Sequence, residues 1–167
     1  PIAEVTLRTP AAPETIAMMA KKSGLLVGAG TVLNAAQVDL AVDAGARFLV
    51  SPGYSADVVS RAAERGIAVI PGTVTPTEVI TALAAGLRLL KFFPAGNYGG
   101  TGTLKAFASV FAEARFVPTG GVSPANLSQY LSLPNVPAVG GSWMVPADLV
   151  DAGDFAGVGQ LMADAVL

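Results

Sequence analysis

Cysteine and histidine are both absent from this 167-residue sequence. The first absence removes disulfides, thiolate nucleophiles and thiolate metal sites. The second removes the commonest general base and every histidine-ligated metal. Acid–base chemistry must therefore fall to Glu, Asp, Lys, Tyr, a hydroxyl group or water. Charge is also scarce: Asp, Glu, Lys and Arg make up 13%, the formal net charge is −2, and no run of Lys and Arg occurs, so nucleic acid finds no electrostatic footprint. No apolar stretch approaches the roughly 18 residues of a membrane span, and no charged-then-apolar leader opens the chain. A soluble, cytoplasmic protein is the default expectation.

Against these absences stands a hydrophobic content of 52%. So much apolar surface must be buried in a compact fold, in an oligomer interface, or in both, and it excludes disorder. The length suits one domain with a substantial core.

Short apolar runs alternate with helical segments along the whole chain. Ile2 to Arg8 reads as a strand, and Pro13 to Lys22 as a helix with lysines in its last turn. Leu25 to Val27 is a short strand closed by Gly28-Ala29-Gly30-Thr31. A helix capped by Asn34 then runs to Gly45. Phe48 to Val50 ends at Ser51-Pro52-Gly53, and the helix from Ser55 to Glu64 stops at Gly66. Ile67 to Ile70 runs into Pro71-Gly72-Thr73, followed by a helix over Pro76 to Ala85 with Thr75 or Thr77 as its cap. After the strand in Leu89 to Gly100 come a helix at Thr103 to Phe111 and a strand at Arg115 to Val117, closed by Thr119-Gly120-Gly121. Ser123-Pro124 reads as the next helix start. Ala138-Val139 forms a seventh strand closed by Gly140-Gly141-Ser142, with a helical turn near Pro146 to Leu149 and a terminal helix from Phe155 to Val166.

Seven strands that are short, apolar and separated by helices are covered on both faces and pair in parallel through right-handed crossovers. An open doubly wound sheet and a closed (β/α)8 barrel both satisfy that pattern. The barrel is favoured because every strand ends in a glycine, proline or hydroxyl turn. Seven strands leave a standard barrel one βα unit short, and the missing unit is placed before Pro1. Residues 1–167 are thus expected to form a single, N-terminally incomplete barrel domain.

Lys91 is the residue that most needs explaining. It sits inside the apolar run LLKFFPAGNYGG (89–100), where a strand passes into a proline and glycine turn. Burial disfavours an ammonium group and lowers its pKa, which is what a Schiff-base amine requires. The alternatives are a lysine that snorkels to the rim, or an edge strand with one solvated residue. Glu4 and Arg8 lie four apart on the first strand, so period 2 turns both to one face. Facing the barrel lumen, they offer a proton carrier and a two-pronged donor for a carboxylate; otherwise they form a structural ion pair. The glycine pairs Gly120-Gly121 and Gly140-Gly141 lie where barrels commonly bind phosphate, although such pairs are also ordinary turns. Gly28-Ala29-Gly30 looks like the opening of a dinucleotide fingerprint, but Leu33 stands where the third glycine belongs.

Taken in order, EVTLR (4–8), VGAGTV (27–32), SPG (51–53), PG (71–72), KFFPA (91–95), PTGG (118–121) with SPAN (123–126), and GGSW (140–143) with VPAD (145–148) closely resemble the 2-keto-3-deoxy-6-phosphogluconate / 4-hydroxy-2-oxoglutarate aldolases. The resemblance runs over essentially the whole chain. It implies a metal-independent class I aldolase on a TIM barrel, of which this chain supplies strands two to eight, with no cofactor and a homotrimeric assembly. The implied reaction is the Entner–Doudoroff cleavage of 2-keto-3-deoxy-6-phosphogluconate, with 4-hydroxy-2-oxoglutarate as a second candidate substrate. Carried over position by position, Lys91 forms the Schiff base and Glu4 shuttles protons. Arg8 binds the pyruvoyl carboxylate with Thr31 beside it, Pro94 shapes the turn beyond the lysine, and Thr119 lines the pocket toward its distal end. There Gly120, Gly121, Gly141 and Ser142 take the phosphate. One departure falls after KFFPA, where the family often has a glutamate and this chain has Gly96-Asn97-Tyr98. A catalytically silent barrel scaffold and a non-covalent phosphosugar isomerase or epimerase are the competing readings.

Overall fold

A computed structural model describes residues 1–165. Strands β1 (Ile2–Thr6), β2 (Leu26–Gly30), β3 (Phe48–Val50), β4 (Ala68–Ile70), β5 (Leu89–Phe92) and β6 (Arg115–Pro118) alternate with helices α1 (Ala12–Ala20), α2 (Ala35–Asp43), α3 (Ala56–Glu64), α4 (Pro76–Ala84) and α5 (Gly100–Val110). The short helices α6 (Leu127–Leu131) and α7 (Ala147–Asp151) and the longer α8 (Phe155–Asp164) complete the order. Val166, where the sequence predicts the last helix to end, lies outside the described residues.

Every strand pairing is parallel, and spatial order follows chain order through β1-β2-β3-β4 and β5-β6. The two groups are joined where Lys91 N–H donates to Pro71 O and Thr73 N–H donates to Lys91 O, both at 2.8 Å, around a Gly72–Lys91 bridge. The result is the α/β barrel-like arrangement expected from strict strand–helix alternation.

The helix boundaries follow from local chemistry. Asn34 Oδ1 accepts from Gln37 N–H at 2.9 Å to start α2, and Thr75 with Glu78 forms a reciprocal capping box on α4. Gly45, Gly66 and Gly86 leave α2, α3 and α4 at φ of +99°, +64° and +82°, which L-residues rarely adopt. Arg61 and Arg65 of the α3 end both reach Asp39 on α2 and tie the neighbouring helices together.

Three expectations need correction. The predicted seventh strand at Ala138-Val139 is not a strand: the segment meets β6 only through Phe116 N–H to Asn135 O, Gly140 N–H to Pro118 O and a single Thr119–Gly140 bridge. Between those contacts the β6 donor that would face this segment belongs to Pro118, which has no N–H, so the ladder is left with a gap. Ser123-Pro124 opens a single turn rather than α6: Asn126 and Leu127 N–H both donate to Ser123 O, at 3.1 and 2.9 Å, and α6 begins at Leu127, after Asn126 departs from helical geometry at φ −120° and ψ −2°. Lys21 and Lys22 lie beyond the last turn of α1, which ends at Ala20.

Two apolar clusters fill the space between sheet and helices. The first joins Ile16, Val27, Val38, Leu49 and Val58 under α1 to α3. The second is aromatic: Phe107 meets Phe92 edge-on at 6.2 Å and Phe111 at 5.6 Å, with Phe116 beside them. Among the described residues no helix is long and apolar enough to cross a membrane.

Candidate active site

Alternation along β5 decides where Lys91 points. Leu90 and Phe92 belong to the aromatic cluster beneath the helices, so Lys91 between them faces the opposite side of the sheet. Its backbone is bonded on both flanks, to Pro71 and Thr73 on one side and in register with Val117 of β6 on the other. The residue is only 7% exposed. It is therefore neither a rim lysine nor part of an unpaired edge. Its Nζ lies 4.0 Å from Glu4 Oε1 and 4.8 Å from the centre of the Phe93 ring. Burial pushes the Lys91 pKa below its ordinary value; the Glu4 carboxylate opposes that shift, and the Arg8 guanidinium adds to it.

Glu4 reaches the lysine because β2 is bare on that face. Glu4 pairs in register with Gly28, and Thr6 with Gly30. A β-carbon at Gly30 would overlap Glu4 Oε1 and stand 2.6 Å from its Cδ, whereas one at Gly28 would overlap the Phe48 ring from β3. The sequence predicts these glycines to close a strand. The structure instead carries β2 through both of them, with Val27 and Ala29 turned to the core and the glycine face filled from either side by Glu4 and Phe48. No positive φ is required at either position. The absent side chains make room for neighbours rather than for a turn.

Arg8 lies just beyond the end of β1, and its Nε donates to Thr6 Oγ1 at 3.1 Å. No Glu4–Arg8 ion pair forms among the described residues; Arg8 is exposed, and its charge bears on Lys91 as a repulsion that lowers the lysine pKa. Thr31 follows Gly30 at the end of β2 with φ of +58°, a left-handed conformation that a β-branched residue adopts only under constraint.

Beyond β5 a second group of predicted residues converges. Ala95 N–H donates to Thr119 O at 2.9 Å and Gly96 N–H to Gly120 O at 3.0 Å, so the turn after β5 is fastened to the turn after β6. Pro94 packs against Gly120, where a β-carbon would stand 3.3 Å from it. Gly120 and Gly121 both hold positive φ, at +87° and +80°. Among the described residues the N–H groups of Gly120, Gly121, Gly141 and Ser142 have no acceptor. Since α6 and α7 are short and start further along, any anion held here is held by turn amides and not by a helix terminus.

Residue-type reasoning missed Gly28, Gly30, Thr6 and Phe93. A usable signal existed for the glycines alone, since glycine at every second position marks one bare strand face. Among the described residues no three acidic side chains gather as a metal site would need.

Comparison with known proteins gives one consistent result. Residues 1–161 match the family model "KDPG and KHG aldolase". The 2-dehydro-3-deoxy-phosphogluconate aldolase of Zymomonas mobilis is 49% identical over 150 residues, which cover 90% of this chain and 72% of that protein. The KHG/KDPG aldolase of Escherichia coli K12 is 45% identical over 166 residues, covering 99% and 78%. Among solved structures, the KDPG aldolase of Legionella pneumophila, with pyruvate captured as a covalent carbinolamine, superposes with a TM-score of 0.94 at 38% identity, covering 98% of this chain and 80% of that one.

Proposed function

The chain belongs to the KDPG and KHG aldolase family, and from that premise we propose that it is a lyase that cleaves 2-keto-3-deoxy-6-phosphogluconate to pyruvate and glyceraldehyde 3-phosphate through a Schiff base on Lys91. The observation that carries this reading is a buried amine with a lowered pKa, 4.0 Å from a carboxylate that water can reach.

The Lys91 amine adds to the C2 ketone to form a carbinolamine, and loss of water gives an iminium. Glu4, directly or through water, takes the proton of the C4 hydroxyl. The C3–C4 bond then breaks, its electron pair passes to the iminium to leave an enamine, and the aldehyde departs. The enamine takes a proton at C3, and water hydrolyses the resulting imine to release pyruvate and restore Lys91. The cationic nitrogen is the electron sink throughout. Arg8 holds the C1 carboxylate with Thr31 beside it, while Pro94 and Thr119 wall the pocket toward the distal turns.

The unpaired amides of Gly120, Gly121, Gly141 and Ser142 support a phosphorylated substrate. A shorter acid leaves those amides to water and forgoes hydrogen bonds to a charged group, worth about 1.5–3 kcal/mol each. Comparing kcat/KM for 2-keto-3-deoxy-6-phosphogluconate, 2-keto-3-deoxygluconate and 4-hydroxy-2-oxoglutarate tests this, and equal values for the first two would remove the phosphate role from those turns.

In this reading β1 to β6 and the Gly140 segment take the places of strands two to eight of a closed (β/α)8 barrel, with one further βα unit between β1 and the Gly140 segment. The 72–80% share of relatives that it spans supports that assignment. The protein is cytoplasmic and trimeric, with exposed Met18, Val110 and Phe155 as candidates for interface burial. Light scattering on the protein carrying all eight units, showing a monomer at micromolar concentration, would contradict the trimer.

A further inference from the structure

We propose that Gly30 is a positioning residue for the cleavage reaction: its bare α-carbon is the seat that holds the Glu4 carboxylate beside Lys91. The inference rests on the reading of Glu4 as the proton carrier.

Three observations carry it. A β-carbon at Gly30 would overlap Glu4 Oε1 and come within 2.6 Å of Cδ and 2.8 Å of Cγ, so the end of the Glu4 side chain lies directly on this residue. Gly30 does not have a positive φ and sits in a regular parallel register opposite Thr6, so the backbone itself accepts alanine. The colliding group is the tip of a flexible side chain that is 32% exposed and has solvent to move into. An alanine at this position therefore moves the carboxylate and leaves the strand in place. Gly28 differs, because the rigid Phe48 ring occupies its vacant face and a β-carbon there would disturb packing.

The functional consequence follows from geometry. Glu4 Oε1 is already at 4.0 Å from Lys91 Nζ, and displacement by the width of a methyl group takes it out of reach of the bonds made at that nitrogen. Misplacement of a reacting group by about 1 Å can cost on the order of 10²-fold in rate. The same movement removes the charge that raises the Lys91 pKa. Imine formation should then persist, with its acid limb shifted to lower pH.

A double-mutant cycle tests the proposal, using the protein that carries all eight βα units. The four members are the unsubstituted enzyme, Gly30→Ala, Glu4→Gln and the double variant, each assayed for kcat, KM and the pH dependence of borohydride trapping with pyruvate. The expected result is a fall in kcat of about 10- to 100-fold for Gly30→Ala with trapping retained and its acid limb moved down. In the Glu4→Gln background, Gly30→Ala should change kcat by less than about twofold, since misplacing a group that no longer carries protons costs little. An equal loss in both backgrounds, an unmoved acid limb, unchanged kcat in Gly30→Ala, or an insoluble Gly30→Ala protein would overturn the proposal and leave Glu4 untouched. Full activity in Glu4→Gln alone would instead bring down the proton-carrier reading, and the positioning role with it.

Discussion

Lys91 and Glu4 form a close pair of unequal partners: the lysine side chain is 9% exposed, the glutamate side chain is 32% exposed, and Nζ and Oε1 are 4.0 Å apart. Burial of one member lowers its pKa, and access of the other to solvent keeps it supplied with protons and water. An amine that is easily deprotonated beside a wet carboxylate suits imine chemistry better than it suits stability.

That imbalance makes Lys91 a cost to the fold. Because its folded pKa lies below the ordinary lysine value, the unfolded chain binds more protons between the two, and this group's contribution to stability improves as pH rises through that window. Below the folded pKa the penalty is present in full. Lys91→Met should abolish turnover and raise the urea midpoint at neutral pH, with a gain that shrinks as the pH approaches about 10.4. A gain that does not vary with pH would contradict a charged-state penalty.

Glu4 and Arg8 should fail in different ways. Glu4→Gln is expected to lower kcat by roughly 10²–10⁴ with pyruvate trapping still visible, whereas Arg8→Ala should weaken trapping by raising the pyruvate concentration it needs. Single-turnover trapping across pyruvate concentrations separates the two, and equal loss in both variants would make the pair structural.

Thr73 is 2% exposed, and its hydroxyl has no partner among the described residues. Its backbone N–H is engaged with Lys91 O, so the fault lies in the side chain alone. Thr73→Val keeps the shape and removes the orphan, and should stabilise the protein by about 1 kcal/mol without altering kcat/KM. Thermal melts and steady-state assays on the one variant check both halves.

Trp143 is the single tryptophan, and its ring packs on Gly141, where a β-carbon would overlap it. Phosphate entering between the Gly120-Gly121 and Gly141-Ser142 turns should therefore change the emission of Trp143, whereas pyruvate at the Lys91 end should change it much less. Titration with inorganic phosphate and with pyruvate compares them directly, and equal responses would contradict a distal phosphate site.

Signals confined to a few neighbouring residues were legible in the sequence. Asn34, Thr75 with Glu78, and the glycines that end α2 to α4 act where they stand, and the strand–helix alternation follows from the same short-range cues. Lys91 and the direction of Glu4 were legible because burial and period 2 are local arguments, whereas Arg8 falls in the turn after β1 ends at Thr6, where strand alternation no longer sets its direction. Gly28 and Gly30 were misread as a turn because their purpose depends on Glu4 and Phe48, which come from other strands. The same reason explains the Ala138-Val139 segment, whose pairing depends on Pro118 of β6, a residue with no N–H to offer, while the Ser123-Pro124 start pattern does form a turn but α6 begins only at Leu127.

The central claim is that Lys91 is the covalent nucleophile, and the most direct measurement is borohydride reduction in the presence of pyruvate followed by peptide mass mapping of the protein. The account predicts one reduced pyruvate adduct per chain on the peptide containing Lys91, absent in Lys91→Arg, which keeps the charge but cannot form the imine. An adduct on Lys21, Lys22 or Lys105, or cleavage activity with no adduct on Lys91, would contradict it.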